Sequence, residues 1–213
     1  MRLLDAFSAT FIGRALLATF FDLPRWTLAN LAFTIALLPA YQAMLNDRWL
    51  AAAWATLPVV PVAAGMINMA SGQAAGRALR LRDAWACRPT LFTVFIVWAS
   101  AAFTITLLFA GAPLAVVLAT SIGLLFLLVI GVFAIYLPAQ LKVGGLLIWR
   151  NALVLAASYP VVGLGLLALG VVGLWLVVIS KGALIIVVPA LWTVLAAFTV
   201  SDQIKALQAK HAG

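Results

Sequence analysis

Long apolar runs separated by short clusters of charge set the organisation of this chain. Six such runs cover about 26–45, 49–70, 91–110, 114–137, 152–178 and 183–200. A helix needs about 20 apolar residues to cross a bilayer, so each run predicts a transmembrane helix. Asp47 and Arg48 mark a tight connection between the first two runs, and Gly111, Ala112 and Pro113 turn the third into the fourth. From 152 to 200 only Lys181 interrupts the apolar character, over 49 residues. That is too long for one helix, so two spans are expected to meet near Ser180, Lys181 and Gly182.

The ends of the chain read differently. Arg2, Asp5, Arg14, Asp22 and Arg25 keep 1–25 from spanning. Leu3, Leu4, Phe7 and Phe11 fall on one side of a helix, which predicts a short interfacial head lying in the membrane surface. Asp5 and Arg14 interrupt any apolar core that a signal peptide would need, and no small-residue cleavage site follows, so 1–25 is not read as one. Residues 201–213 form a short polar tail. With six spans, eleven of the thirteen Lys and Arg fall on one side of the membrane, and only Arg48 and Lys181 on the other. Basic loops stay cytoplasmic, so both termini are expected inside. Trp26, Trp49 and Trp149 sit at span ends, where interfacial aromatics belong. The expected fold is all-α: a single polytopic membrane domain over 1–213, six helices, N-in and C-in.

Composition strengthens this picture. Apolar residues make up 67% of the chain, charged ones 8%, and the mean hydropathy is +1.21. A soluble domain of average usage is about half apolar and a quarter charged, so the excess must face lipid, and no room remains for a sizeable soluble domain. The formal charge of +8 and pI near 10.6 would suggest nucleic acid on a soluble protein. Here the basic residues flank apolar runs and no nucleic-acid module is present. Anionic headgroups on the cytoplasmic side are the expected partner instead. The single cysteine, Cys87, excludes an intrachain disulfide framework.

The search for chemistry is mostly negative. The one histidine, His211, lies in the tail, which leaves no His ligand for haem or a metal inside a span. All five acidic residues are Asp outside the spans, so a carrier with a buried carboxylate or an intramembrane aspartyl protease lacks its key group. No His or Lys stands within a span to activate a serine. Neither catalysis nor a cofactor or metal site is therefore expected. Asn30, Gln42, Asn68, Thr104, Tyr136, Ser158 and Tyr159 give the spans mild polarity. They could line a path for a small neutral solute, but interhelical hydrogen bonds of about 0.6 kcal/mol each explain them more simply. Pro39, Pro58, Pro61, Pro160 and Pro189 read as packing kinks. Ala156, Gly163, Gly170 and Gly173, spaced by seven, seven and three, make a small-residue stripe for helix packing, within the bundle or in a homo-oligomer. Arg77, Arg80, Arg82 and Arg88 are the densest charge in the chain and are candidates for contact with lipid or an acidic partner.

Several short passages resemble one family. The stretch Asn30-Leu-Ala-Phe-Thr-Ile-Ala-Leu-Leu-Pro39 is similar to the first span of the YesL-like small bacterial membrane proteins, and Pro61-Val-Ala-Ala-Gly65 to their second. Asp83-Ala-Trp85 leading through Arg88-Pro-Thr-Leu-Phe92 resembles their approach to the third span. Tyr136-Leu-Pro138 and Trp149-Arg150-Asn151-Ala152-Leu153 resemble two later passages. The resemblance implies a multi-pass protein of the bacterial inner (plasma) membrane, without catalytic or binding residues to carry over. It further implies an accessory role in carbohydrate uptake beside ABC-type transporter subunits. The alternative is a small-solute permease or channel component, which a row of pore-lining polar residues or a closed central cavity would favour. A compact, dry bundle with a flat glycine-rich outer face would favour the accessory subunit.

Overall fold

The computed structural model describes residues 10–78, 88–141, 143–180 and 183–212, and every regular element among them is helical. Helix α1 (Phe11–Phe21) starts where the Thr10 hydroxyl accepts the Gly13 N–H at 3.0 Å, an N-cap that satisfies one of the free first-turn donors. After Asp22, α2 (Leu23–Leu45) begins with Pro24 in its first turn, where a missing N–H costs little. The next apolar run is divided. Helices α3 (Trp49–Ala55) and α4 (Val59–Ala74) meet at 56–58 with a bend of 43°. Pro58 and Pro61 cannot donate the bonds that would carry a straight helix through this point.

Helix α5 (Arg88–Phe109) leads through Gly111, at φ +70°, into α6 (Leu114–Ala134), which the short α7 (Leu137–Leu141) extends. Helix α8 (Leu146–Ser158) follows Gly145, whose φ of 61° and ψ of −141° suit glycine alone. The predicted fifth span, 152–178, differs from the structure here. Its first residues belong to α8, and α9 (Pro160–Ile179) is a separate helix. Pro160 disfavours helical geometry at the preceding residue, and Tyr159 accordingly sits at φ −136°, ψ 57°. The run predicted as 183–200 also starts differently, as a 3-10 turn (Ala183–Ile186), before α10 (Val188–Ala212). Helix α10 continues through the polar residues of 201–212 without a break. Its 25 residues extend for about 37 Å.

Four stretches are long and apolar enough to cross a membrane: Leu23–Leu45, Arg88–Phe109, Leu114–Leu141 and Pro160–Val177. The bent pair α3 and α4 makes a fifth if it counts as one span. Only 11–17% of each of the four windows is buried within the protein. Phe92, Phe126, Val161, Leu174 and Trp175 stand more than half exposed on the outside. Water would not tolerate a surface of this kind, whereas a bilayer would.

Inside, α10 is the central element and packs against α1, α4 and α9, while α6 lies against α5, α8 and α9. Ala70, Ala190, Ala196 and Ala197 are buried where α4 and α10 contribute to the core. Small side chains let backbones approach, which matters in lipid because helix association there relies on close packing rather than on escape from water. Trp26, Phe133, Tyr136 and Leu137 fill the larger spaces. The Tyr136 hydroxyl donates to the Thr193 carbonyl at 3.2 Å and Gln140 Nε2 to the Ala197 carbonyl at 3.1 Å, which ties α6 and α7 to α10. At one end of the bundle α1 and the ends of α4 and α7 meet the polar half of α10. At the opposite end Met44, Trp49, Phe109 and Ile185 share one cleft.

Candidate functional site

Charged and amide side chains that bridge helices gather at the first of these ends. Arg14 of α1 donates through Nη2 to Asp202 Oδ2 of α10 at 2.6 Å, and its guanidinium carbon stands 5.8 Å from the Phe198 ring centre. Gln73, in the last turn of α4, donates through Nε2 to Asp22 Oδ2 at 2.7 Å and to the Ala18 carbonyl at 3.3 Å. The other Asp22 oxygen accepts from Arg25 at 2.7 Å. These contacts join the N-terminal helix to both α4 and α10.

The end of α4 is closed by its own backbone. Gly76 adopts φ +73°, its N–H returns to the Gln73 carbonyl, and the Arg77 N–H returns to the Gly72 carbonyl. This double closure needs a left-handed residue, and glycine takes that conformation without strain. An open cavity of about 580 Å³, with Lys205 and Gln208 exposed at its mouth, lies between α1, the α4 terminus, α7 and α10. Arg14, Gly76, Gln140, Ser201, Lys205 and Gln208 line it. Ser201, Lys205 and Gln208 recur at i, i+4 and i+7, so one face of α10 supplies three of its polar walls.

The cavities elsewhere have another character. One of about 690 Å³ lies between α2, α3 and α5, and Leu38, Tyr41 and Leu108 in its lining are each more than half exposed, so it is a surface cleft. Another, of about 410 Å³, is lined by Phe33, Met66, Leu174 and Trp192. Neither has a charged side chain in its wall.

Most of the hydroxyls in the spans donate within their own helices. Thr34, Thr93, Ser100, Thr104, Thr106 and Thr199 each donate to the carbonyl four residues back in their own helix. Their hydroxyl donors are thus used locally. Asn30 and Asn68 are buried, Gln42 and Ser158 are exposed, and Tyr159 lies 5.9 Å beneath the Lys210 ammonium. Trp98 Nε1 donates to the Thr56 hydroxyl at 2.8 Å and Trp54 Nε1 to the Thr106 hydroxyl at 3.1 Å, so two indoles brace the bend between α3 and α4.

The arginine cluster is only partly within the described residues, because Arg80 and Arg82 lie outside them. Arg77 is exposed and donates through Nη2 to the Ala139 carbonyl at 3.3 Å, at the rim of the polar end. Arg88 is the exposed first residue of α5. The small-residue stripe is divided by the break at Tyr159: Ala156 is buried on α8, and the glycines belong to α9. A Cβ at Gly163 would stand 3.1 Å from Phe133 and 3.3 Å from Val129 of α6. At Gly170 it would meet Trp192 at 3.1 Å, and at Gly173 Val188 at 2.8 Å, both on α10. The glycines therefore face this chain's own helices and not a flat outer surface.

In the sequence Arg14 and Asp202 are only charges outside the apolar runs, and nothing there singles out Gln140, Lys205 or Gln208. A charge of each sign at the two ends of the chain was the available signal for the Arg14–Asp202 pair. No protein-family profile, curated protein or solved structure matches the chain, so its likeness to YesL-like proteins rests on the short motifs alone.

Proposed function

We propose that this chain is a non-catalytic accessory or structural subunit of a bacterial inner membrane, threaded six times with both termini in the cytoplasm. The observation that carries this reading is the disposition of polar groups. Most Ser and Thr hydroxyls of the spans donate within their own helices, the cleft between α2, α4, α9 and α10 is walled mainly by apolar side chains such as Phe33, Met66 and Leu174, and the bridging charges collect at one end. A permease would need polar groups arranged along a path, whereas the clefts of about 690 and 410 Å³ between the helices are walled mainly by apolar side chains. The threading is supported by the basic side chains, since Arg14, Arg25, Arg77 and Lys205 all lie at the polar end. The short motifs shared with YesL-like proteins supply carbohydrate uptake, beside an ABC-type transporter, as the setting.

Affinity purification of the tagged protein in mild detergent, followed by mass spectrometry, tests the function. Recovery of transporter subunits is expected. Recovery of the chain alone, together with solute flux through it in liposomes, would replace the subunit by a permease. Reporter fusions test the threading separately: after Gly213 and within 71–89 they should report cytoplasm, and at 111–113 the outside. An external reporter within 71–89 would overturn it.

A further inference from the structure

The geometry points to the polar cavity as a binding site for a phosphate-bearing anion, either a lipid headgroup or a soluble phosphate. The charge balance favours an anion. Arg14 and Lys205 enter the cavity from different helices. Asp202 takes up one nitrogen of Arg14, and among the described residues no ion pair involves Lys205. Ser201 and Gln208 add neutral donors beside the two cations.

The walls also hold more hydrogen-bonding capacity than the protein consumes. The N–H of Arg14 Nε is buried and has no acceptor among the described residues. A buried donor without an acceptor is unfavourable, so a negatively charged guest that can accept from it is favoured. A tetrahedral oxyanion offers oxygens in several directions and suits donors that come from α1 and from successive turns of α10. A planar carboxylate matches a single forked partner better, and Asp202 already supplies one to Arg14. At about 580 Å³ the cavity falls within the size range of small-ligand sites. The groove between α9 and α10 lacks this character, because its one charged wall residue is Asp202, which repels anions.

Native mass spectrometry of the full chain in neutral detergent tests the assignment. The probes are dioleoyl phosphatidylglycerol, dioleoylglycerol without phosphate, and inorganic phosphate as competitor. Retention of phosphatidylglycerol over dioleoylglycerol is expected. Lys205→Gln should weaken it about fivefold, the value of one basic side chain facing an anionic headgroup. Lys210→Gln removes the same charge from the same helix outside the cavity and should leave retention unchanged. Displacement by inorganic phosphate, with the same dependence on Lys205, identifies a soluble phosphate as a ligand. Failure of phosphate to compete identifies the lipid headgroup as the source. Equal losses in the two lysine variants, no loss in Lys205→Gln, or no retention of either anion by the wild type would overturn the proposal.

Discussion

Along α9 the backbone meets α6 and α10 through glycine, with Gly163 against Val129 and Phe133 and Gly173 against Val188. The indole of Trp192, beside Gly170, donates to the Leu166 carbonyl at 2.9 Å, so even its polar atom is satisfied by backbone. At the polar end the helices are instead joined by side chains: Arg14 to Asp202, and Gln73 to Asp22. The first contact is specified by shape and the second by charge. In lipid, shape is the stronger constraint, because a packed backbone has no solvent-filled space into which an added side chain can move. Charged pairs with partial exposure exchange partners with water at small cost. The apolar middle should therefore be sterically unforgiving and indifferent to salt, and the polar end should be tolerant and salt-dependent.

The sharpest way to break this comparison is to enlarge the glycines. Gly163→Leu and Gly173→Leu should each destabilise the protein by about 1–3 kcal/mol, the usual cost of overpacking. Gly165 is on the same helix with nothing within 4 Å of its Cβ position, so Gly165→Leu is the matched control and should be nearly neutral. Thermal unfolding in detergent reads all three. If Gly165→Leu falls as far as the others, steric fit along α9 is not what the stripe provides.

Removing one bridging hydrogen bond should cost less. Tyr136→Phe deletes the donor to the Thr193 carbonyl, and Thr106→Val, of nearly equal size, deletes the acceptor of Trp54 Nε1 between α3 and α5. Each should lower stability by about 0.6 kcal/mol, the average found for polar contacts between membrane helices. A loss above the glycine variants would show that hydrogen bonds, and not shape, dominate the middle of the bundle.

These two regions were not equally legible in the sequence. Charge, Gly and Pro located the connections at Asp47–Arg48 and at 111–113, because breaks between apolar runs are written locally. The division of the fifth run at Tyr159 was not foreseen, since proline is tolerated inside membrane helices and Pro160 alone does not say whether a helix kinks or ends. The bend at 56–58, by contrast, agrees with the reading of Pro58 and Pro61 as kinks. The polar end was illegible in a different way. Arg14, Gln73, Gln140 and Lys205 come from four distant segments, and only the pairing of α1, α4, α7 and α10 brings them together. Without that pairing, Lys205 is one more basic residue in a tail. The glycine spacing was visible, but not which neighbours it would meet, because spacing marks a face and says nothing of what covers it.

A double-mutant cycle on Arg14→Gln and Asp202→Asn probes the charged side of the comparison. Both side chains are about a third exposed, so the coupling should be about 0.2–1 kcal/mol and should shrink as salt is raised. The cycle is preferable to either single variant, because Arg14 also lies near the Phe198 ring and loses that contact when truncated. Coupling that persists at high salt would mean that the pair is shielded from water and belongs with the packed middle.

The smallest effect is expected for Arg77. Its guanidinium is exposed and makes one 3.3 Å bond to the Ala139 carbonyl, a group at the end of the bundle that water can also serve. Arg77→Gln should therefore change stability by less than about 0.5 kcal/mol, as surface substitutions usually do. Combined with Arg80→Gln it separates two roles for the arginine-rich segment. If these side chains meet only lipid headgroups, the nine basic residues left on the cytoplasmic side of the proposed threading still set orientation, and every co-purifying protein is kept. If they meet an acidic partner, orientation is unchanged but that partner is lost, and its association with the wild type weakens as salt rises. Retention of every partner by the double variant across a salt series would leave the arginines with lipid alone.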